Sequence, residues 1–203
     1  MVSINMGQRE IACKLVYYGP GRCGKTTNLQ VVHAKTNQTT QLTSIATETD
    51  RTLFFDFLPI ELPPVMGLKV KMSLYTVPGQ NYYSATRKLV LQGADGIVFV
   101  ADSNPDMMDE NVKSMEDLIV NLSDNWLKID SIPMVLQWNK RDVPNPLPVA
   151  ELNAKLNKFG TWPTVEAVAV NGVGVMQTLK MVSQQVIKKL NSGFPMPSPG
   201  TGR

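Results

Sequence analysis

The segment Gly19-Pro20-Gly21-Arg22-Cys23-Gly24-Lys25-Thr26 constrains this chain most, because it sets a G-x-x-x-x-G-K-[ST] spacing between a β-rich run, CKLVYY, and a segment of helical character. Its glycines let the backbone curl until successive N–H groups point inward, and the amino terminus of the following helix adds partial positive charge. A loop so built binds phosphate. Lys25 is expected to bridge the β- and γ-phosphates of a nucleotide and Thr26 to set its hydroxyl on Mg²⁺, with Thr27 completing the lining. Cys23 stands among amides and beside Lys25, surroundings that lower a thiol pKa, although a space-filling role is the simpler reading. Arg22 adds a cation with no partner evident in sequence, and a solvent-facing role is the simpler reading for it.

A second signal follows the run MVLQW: Asn139-Lys140-Arg141-Asp142, an N-K-x-D pattern. The two acceptor oxygens of Asp142 match the adjacent N1–H and N2–H₂ donors of guanine, whereas adenine would leave the carboxylate unpaired. Asn139 is expected to anchor neighbouring loops, and Lys140 to lay its aliphatic stem along the ring. Further on, the amides of Val168 and Ala169 in EAVAVNG are expected near the base carbonyl.

Six apolar runs, CKLVYYG, LFFDFL, LKVKMSLYTV, GIVFVAD, MVLQWNK and VEAVAV, read as strands, mostly separated by segments of helical period. The last helix carries Val175, Leu179, Val182, Val186 and Leu190 on one face; Met108, Val112, Met115, Leu118, Ile119 and Leu122 make a similar stripe, its methionines read as core filler. Such alternation predicts an α/β fold in three layers, a six-stranded, mostly parallel sheet with helices on both faces. The linker PIELPPVMG is too short for a crossover helix, so strands two and three are expected to pair as an antiparallel hairpin at one edge.

With 203 residues the chain suits one domain, assigned to residues 1–190, and the Pro-, Gly- and Ser-rich residues 191–203 read as a disordered tail. A net charge of +3 does not suggest a nucleic-acid footprint, and Cys13 and Cys23 lack the neighbours of a zinc site or disulfide framework. No secretory signal, membrane span or prenylation cysteine is legible, so a cytoplasmic protein is expected.

The combination of YYGPG-x-C-GKTTNL, TETDRTLFFDFLP, LYTVPGQ and WNKRD closely resembles the MglA family of bacterial gliding-motility GTPases, Ras-like polarity switches. The similarity spans about Ile4 to Leu190, with interruptions around Val31–Gln41 and Asn121–Asp130. It implies a P-loop GTPase domain that binds GTP or GDP with Mg²⁺, works in the cytoplasm, is recruited to a cell pole, and is a monomer meeting polarity or motility effectors and a roadblock-domain activator, MglB. It also implies residue roles. Thr52 ligates Mg²⁺ and reports the γ-phosphate, Gly79 offers that phosphate its amide, Gln80 orients the attacking water, and Arg51 is a catalytic cation brought into place by the regulator. Gly21 matches the position where a side chain would crowd Gln80. Thr76 stands where small GTPases usually have an acidic residue, so metal binding is expected to lean on Thr26, Thr52 and the phosphates. Pro78 lacks an N–H and stiffens the start of the second switch.

Two other function classes stay open at this level. A Ras-like scaffold with weak nucleotide binding is motivated by Thr76 and the degenerate third loop, and opposed by Lys25, Asn139, Asp142 and Gln80. A P-loop ATPase or small-molecule kinase is opposed by Asp142 and by the lack of an acceptor-substrate base.

Overall fold

A computed structural model describes residues 3–5, 7–36, 42–45, 55–65, 67–79 and 83–193. One sheet organises them, with strands β1 (Ser3–Asn5), β2 (Glu10–Tyr18), β3 (Thr43–Ile45), β4 (Phe55–Val65), β5 (Leu68–Thr76), β6 (Gly96–Asp102), β7 (Met134–Asn139) and β8 (Thr164–Glu166). The order across it is β3-β4-β5-β2-β6-β7-β8, with β1 antiparallel on the free edge of the first residues of β2. β5, β2, β6, β7 and β8 are mutually parallel. The expected hairpin is β4 and β5, antiparallel from Phe57↔Tyr75 to Val65↔Leu68, with Gly67 at φ +75° in its tight turn.

The sheet therefore has the six expected strands and two short ones, and the outermost strand at the hairpin end is β3 rather than β4. Three-residue strands carry too little alternation to stand out in sequence. β4 also runs seven residues beyond Leu58, through Pro59, Pro63 and Pro64. Because β3 covers only Phe55–Phe57, the rest of β4 is an edge, where missing N–H groups cost least, and a register shift falls between Leu62 and Val65. Expected strand VEAVAV ends early, at Glu166, because Val168 and Val173 exchange both backbone bonds and Gly172 turns at φ +73°.

Helices α1 (Lys25–Thr36), α2 (Ser84–Leu91), α3 (Met108–Asp124), α4 (Val149–Leu156) and α5 (Val175–Gly193) cover both faces. Strand alternation sorts the core in two. Leu15, Tyr17, Val98, Val100 and Val135 face α1 and α5, against Leu29, Leu179, Val182 and Val186. Val16, Tyr18, Phe99, Leu136 and Trp138 face the other way, against Met115, Leu118, Leu122 and Leu152. Each such aliphatic side chain contributes about 1.5–3 kcal/mol by leaving water. α5 continues three residues beyond Leu190, and residues 194–203 lie outside those described. Among the described residues no helix is long and apolar enough to cross a membrane.

One polar interruption of the core positions the site. Gln137, fully buried in β7, exchanges amide bonds with Asn28 of α1 (2.8 and 3.0 Å) and donates to Thr178 of α5 (2.9 Å). Asn28 also donates to the Gly24 carbonyl (2.9 Å), which pins the first turn of α1 to the loop before it. Every donor used here has an acceptor, so the buried amides carry little penalty.

Candidate functional site

Parallel strands end together, so the loops after β2, β6, β7 and β8 meet at one edge of the sheet. The loop after β2 crosses the end of β6 so closely that a Cβ on Gly19, at φ +141°, would stand 2.1 Å from the Val100 carbonyl oxygen. Gly24, at φ +102°, leaves room for Asn139, whose Nδ2 would lie 2.3 Å from an added Cβ. Lys25 is buried and donates to the carbonyls of Gly19 (2.8 Å) and Pro20 (2.6 Å). Among the described residues no acceptor takes the amides of Gly21, Arg22, Cys23 or Gly24. Carbonyls held by Lys25 and amides left free make a cradle for an anion at the start of α1.

Burial pushes the Cys23 thiol up, outweighing Lys25 beside it, so this cysteine is a packing residue and a poor redox sensor. Cys13 is raised to about 12 by burial and by Asp95.

Asn139 joins two loops. Its Nδ2 donates to the Cys23 carbonyl (2.7 Å) and its Oδ1 accepts from the Ala169 amide (2.9 Å). The Ala169 amide expected near a base carbonyl is thus engaged within the protein in this structure. Lys140, at φ +63°, is anchored by its ammonium to buried Asp102 (2.6 Å), which leaves its stem for the cleft wall. That cleft measures about 210 Å³ and is lined by Arg22, Gly24, Thr27, Asn139, Asp142 and Ala169 among others. Val168 is not part of the lining; its amide bonds to Val173, and Val170 stands at the cleft instead. Among the described residues no partner engages the Asp142 carboxylate or the Arg22 guanidinium.

A third cluster lies where α1 meets the hairpin. The Asp56 carboxylate, buried in β4, accepts from the hydroxyls of Thr26 (2.5 Å) and Thr76 (2.9 Å), and the Asp56 amide donates to Thr76 (2.8 Å). One hard carboxylate oxygen and two hydroxyls fit a Mg²⁺ ion in donor chemistry. Gly79 rests on the phosphate loop, since a Cβ there would come within 2.3 Å of the Gly21 nitrogen. Among the described residues, an added Cβ on Gly21 itself would come nearest the Gly79 carbonyl oxygen, at 3.7 Å.

A model of the ADP-ribosylation factor family matches residues 1–186. The chain belongs to this family. Among curated relatives, it is 52% identical over 195 residues to the "Mutual gliding-motility protein MglA" of Myxococcus xanthus (strain DK1622), covering 95% of this chain and 100% of the relative. The ADP-ribosylation factor-like protein 6 of Caenorhabditis briggsae is 26% identical, and that of Caenorhabditis elegans 24%, each over 122 residues, 58% of this chain and 63% of the relative.

Membership in the ADP-ribosylation factor family makes this a Ras-like small GTPase with the P-loop fold, and implies GTP and GDP binding and GTP hydrolysis in general. Two residues near the site escaped the sequence reading. Asp102 ends the run GIVFVAD and holds Lys140, a role visible only once β6 and β7 are paired, Asp102↔Asn139. Asp56 faces Thr76 across the hairpin, twenty positions away, and gives the region the acidic group that Thr76 lacks. Arg51, Thr52 and Gln80 lie outside the described residues.

Proposed function

We propose that this chain is a nucleotide-dependent switch that binds GTP or GDP with Mg²⁺, hydrolyses GTP slowly alone, and is accelerated by a roadblock-domain regulator of the MglB kind. The observation that carries the reading is Asn139, which ties the anion cradle to the loop of Ala169 beside a cleft walled by the unengaged Asp142. An unpartnered carboxylate at that wall suits guanine's paired donors. The name of the Myxococcus relative, a gliding-motility protein, supports a role in motility; a part in cell polarity, in the cytoplasm with recruitment to a pole, is proposed with it.

In this account Lys25 and the amides of Gly21 to Gly24 bind the phosphates, and Thr26, Asp56 and Thr52 hold Mg²⁺, with Thr76 keeping the Asp56 carboxylate turned toward Thr26. Bound there, the ion would neutralise charge on the β- and γ-phosphate oxygens. Gly79 donates to the γ-phosphate, Gln80 orients a water for in-line attack, and Arg51 offsets charge that develops on the transferring group. Loss of the γ-phosphate then frees the switch segments and changes the surface seen by effectors. Asp56 weakens the main reason for the scaffold reading, since Thr76 no longer leaves the site without a carboxylate.

The test is phosphate release from GTP across a Mg²⁺ titration. Wild-type protein is expected to release one phosphate per GTP, and Asp56→Asn to need about tenfold more Mg²⁺ for half-maximal rate, the scale of one charged ligand bond. No phosphate release would contradict the hydrolase assignment, and an unchanged Mg²⁺ requirement would remove Asp56 from the metal site.

A further inference from the structure

Outside the nucleotide cleft, a second, partly buried polar network lies between the phosphate loop, α2 and α3. Asp117 of α3 is its centre. It accepts a two-pronged contact from Arg87 of α2, Nε at 2.7 Å and the terminal nitrogen at 3.4 Å, and a hydrogen bond from the Tyr18 hydroxyl. Asn121, one turn on, donates to the same Tyr18 oxygen at 3.1 Å and closes the set. Arg87 is 7% exposed and Tyr18 fully buried, while the Asp117 side chain keeps 31% exposure, so the network is sealed on the α2 and β2 side and open to solvent at the carboxylate.

The chain positions of these groups give the network a reach. Tyr18 is the last residue of β2, next to Gly19, where the phosphate loop begins. Arg87 also sends a longer bond (3.5 Å) to the carbonyl of Pro78, next to Gly79. Gly79 is in turn packed on the loop at Gly21. A single carboxylate on an outer helix thus holds both backbones that meet at the phosphate end of the site. A cavity of about 60 Å³ is bordered by Gly19, Gly79, Arg87 and Asp117. Further ties keep α2 on α3: Lys88 pairs with Asp124 (2.9 Å), and Asn125 donates to the Lys88 carbonyl (2.9 Å).

We propose that Asp117, acting through Arg87, is a positioning residue that sets Gly79 against the phosphate loop, so that discrimination between GTP and GDP depends on a clamp between α2 and α3. The inference rests on the switch reading above, in which Gly79 meets only the γ-phosphate. The clamp then affects the triphosphate and spares the diphosphate. A residue that merely stabilised the fold would weaken both alike.

The experiment measures GTP and GDP affinity, with Mg²⁺, for wild type, Arg87→Ala, Asp117→Asn and the double variant, with melting temperatures for all four. Each single variant is expected to lose about tenfold in GTP affinity while GDP affinity stays within about twofold, and the double to lose no more than either single, as residues acting as one unit do. Tyr18 and the Arg87 Nε share Asp117 Oδ2, so Asp117→Asn keeps size and an acceptor for both while removing the charge that pairs with Arg87, and it reports the clamp even if Arg87→Ala folds poorly. Equal losses for GTP and GDP that follow melting temperature would overturn the clamp, as would unchanged GTP affinity. A wild type that binds neither nucleotide would overturn the switch reading along with it, whereas wild-type binding with insensitive variants strikes the clamp alone.

Discussion

Asp142→Asn is expected to lower the preference for GTP over ATP by about 10⁴-fold, the discrimination a site gains from hydrogen bonds built for one partner and left unpaired by another. The carboxylate stands on the cleft wall and no group among the described residues engages it, so its acceptors are available to the base. An amide keeps the shape and replaces one acceptor with donors, which face the N2 amine of guanine and repel it. Xanthosine triphosphate has a carbonyl at that position and is expected to bind the variant better than GTP does. Competition binding across GTP, ATP and xanthosine triphosphate checks both statements, and retained guanine selectivity would move base reading to another residue.

Arg51→Ala is expected to cut regulator-stimulated hydrolysis by about 10³-fold or more, while intrinsic hydrolysis changes little. Phosphoryl transfer needs positioning and positive charge more than covalent chemistry, and a cation brought to the transferring oxygens is among the largest single contributions. Lys25 is already assigned to the bound phosphates, so the charge that develops during transfer calls for a second cation. The expectation for Arg51 follows from its place in TETDRTLFFDFLP. Single-turnover hydrolysis with a roadblock-domain regulator is the check. A stimulated rate that survives the substitution would show that the regulator supplies its own cation.

What could be read from sequence was what chemistry holds at fixed spacing. Gly19 to Thr26 and Asn139 to Asp142 carry the roles proposed for them in adjacent residues, and the apolar runs of β2, β6 and β7 bury as expected. The stripes on α3 and α5 likewise meet the core at Met115, Leu118, Val182 and Val186. Roles set by pairing across the sheet were hidden. Asp56 matters because hairpin register brings it to Thr76, and Asp102 because β6 lies beside β7. The Arg87–Asp117 pair joins residues thirty apart that sit on different helices, with no local pattern to mark either. The glycine-led turn that pairs Val168 with Val173 and sets Val170 at the cleft is invisible to apolar periodicity.

The central claim, a guanine-nucleotide switch, is tested most directly by emptying the protein of bound nucleotide and measuring GTP, GDP and ATP affinities in Mg²⁺. Tight binding of GTP and GDP, with ATP weaker by about 10⁴-fold or more, is the expected result. Failure to take up any nucleotide, or ATP binding as well as GTP, would contradict it.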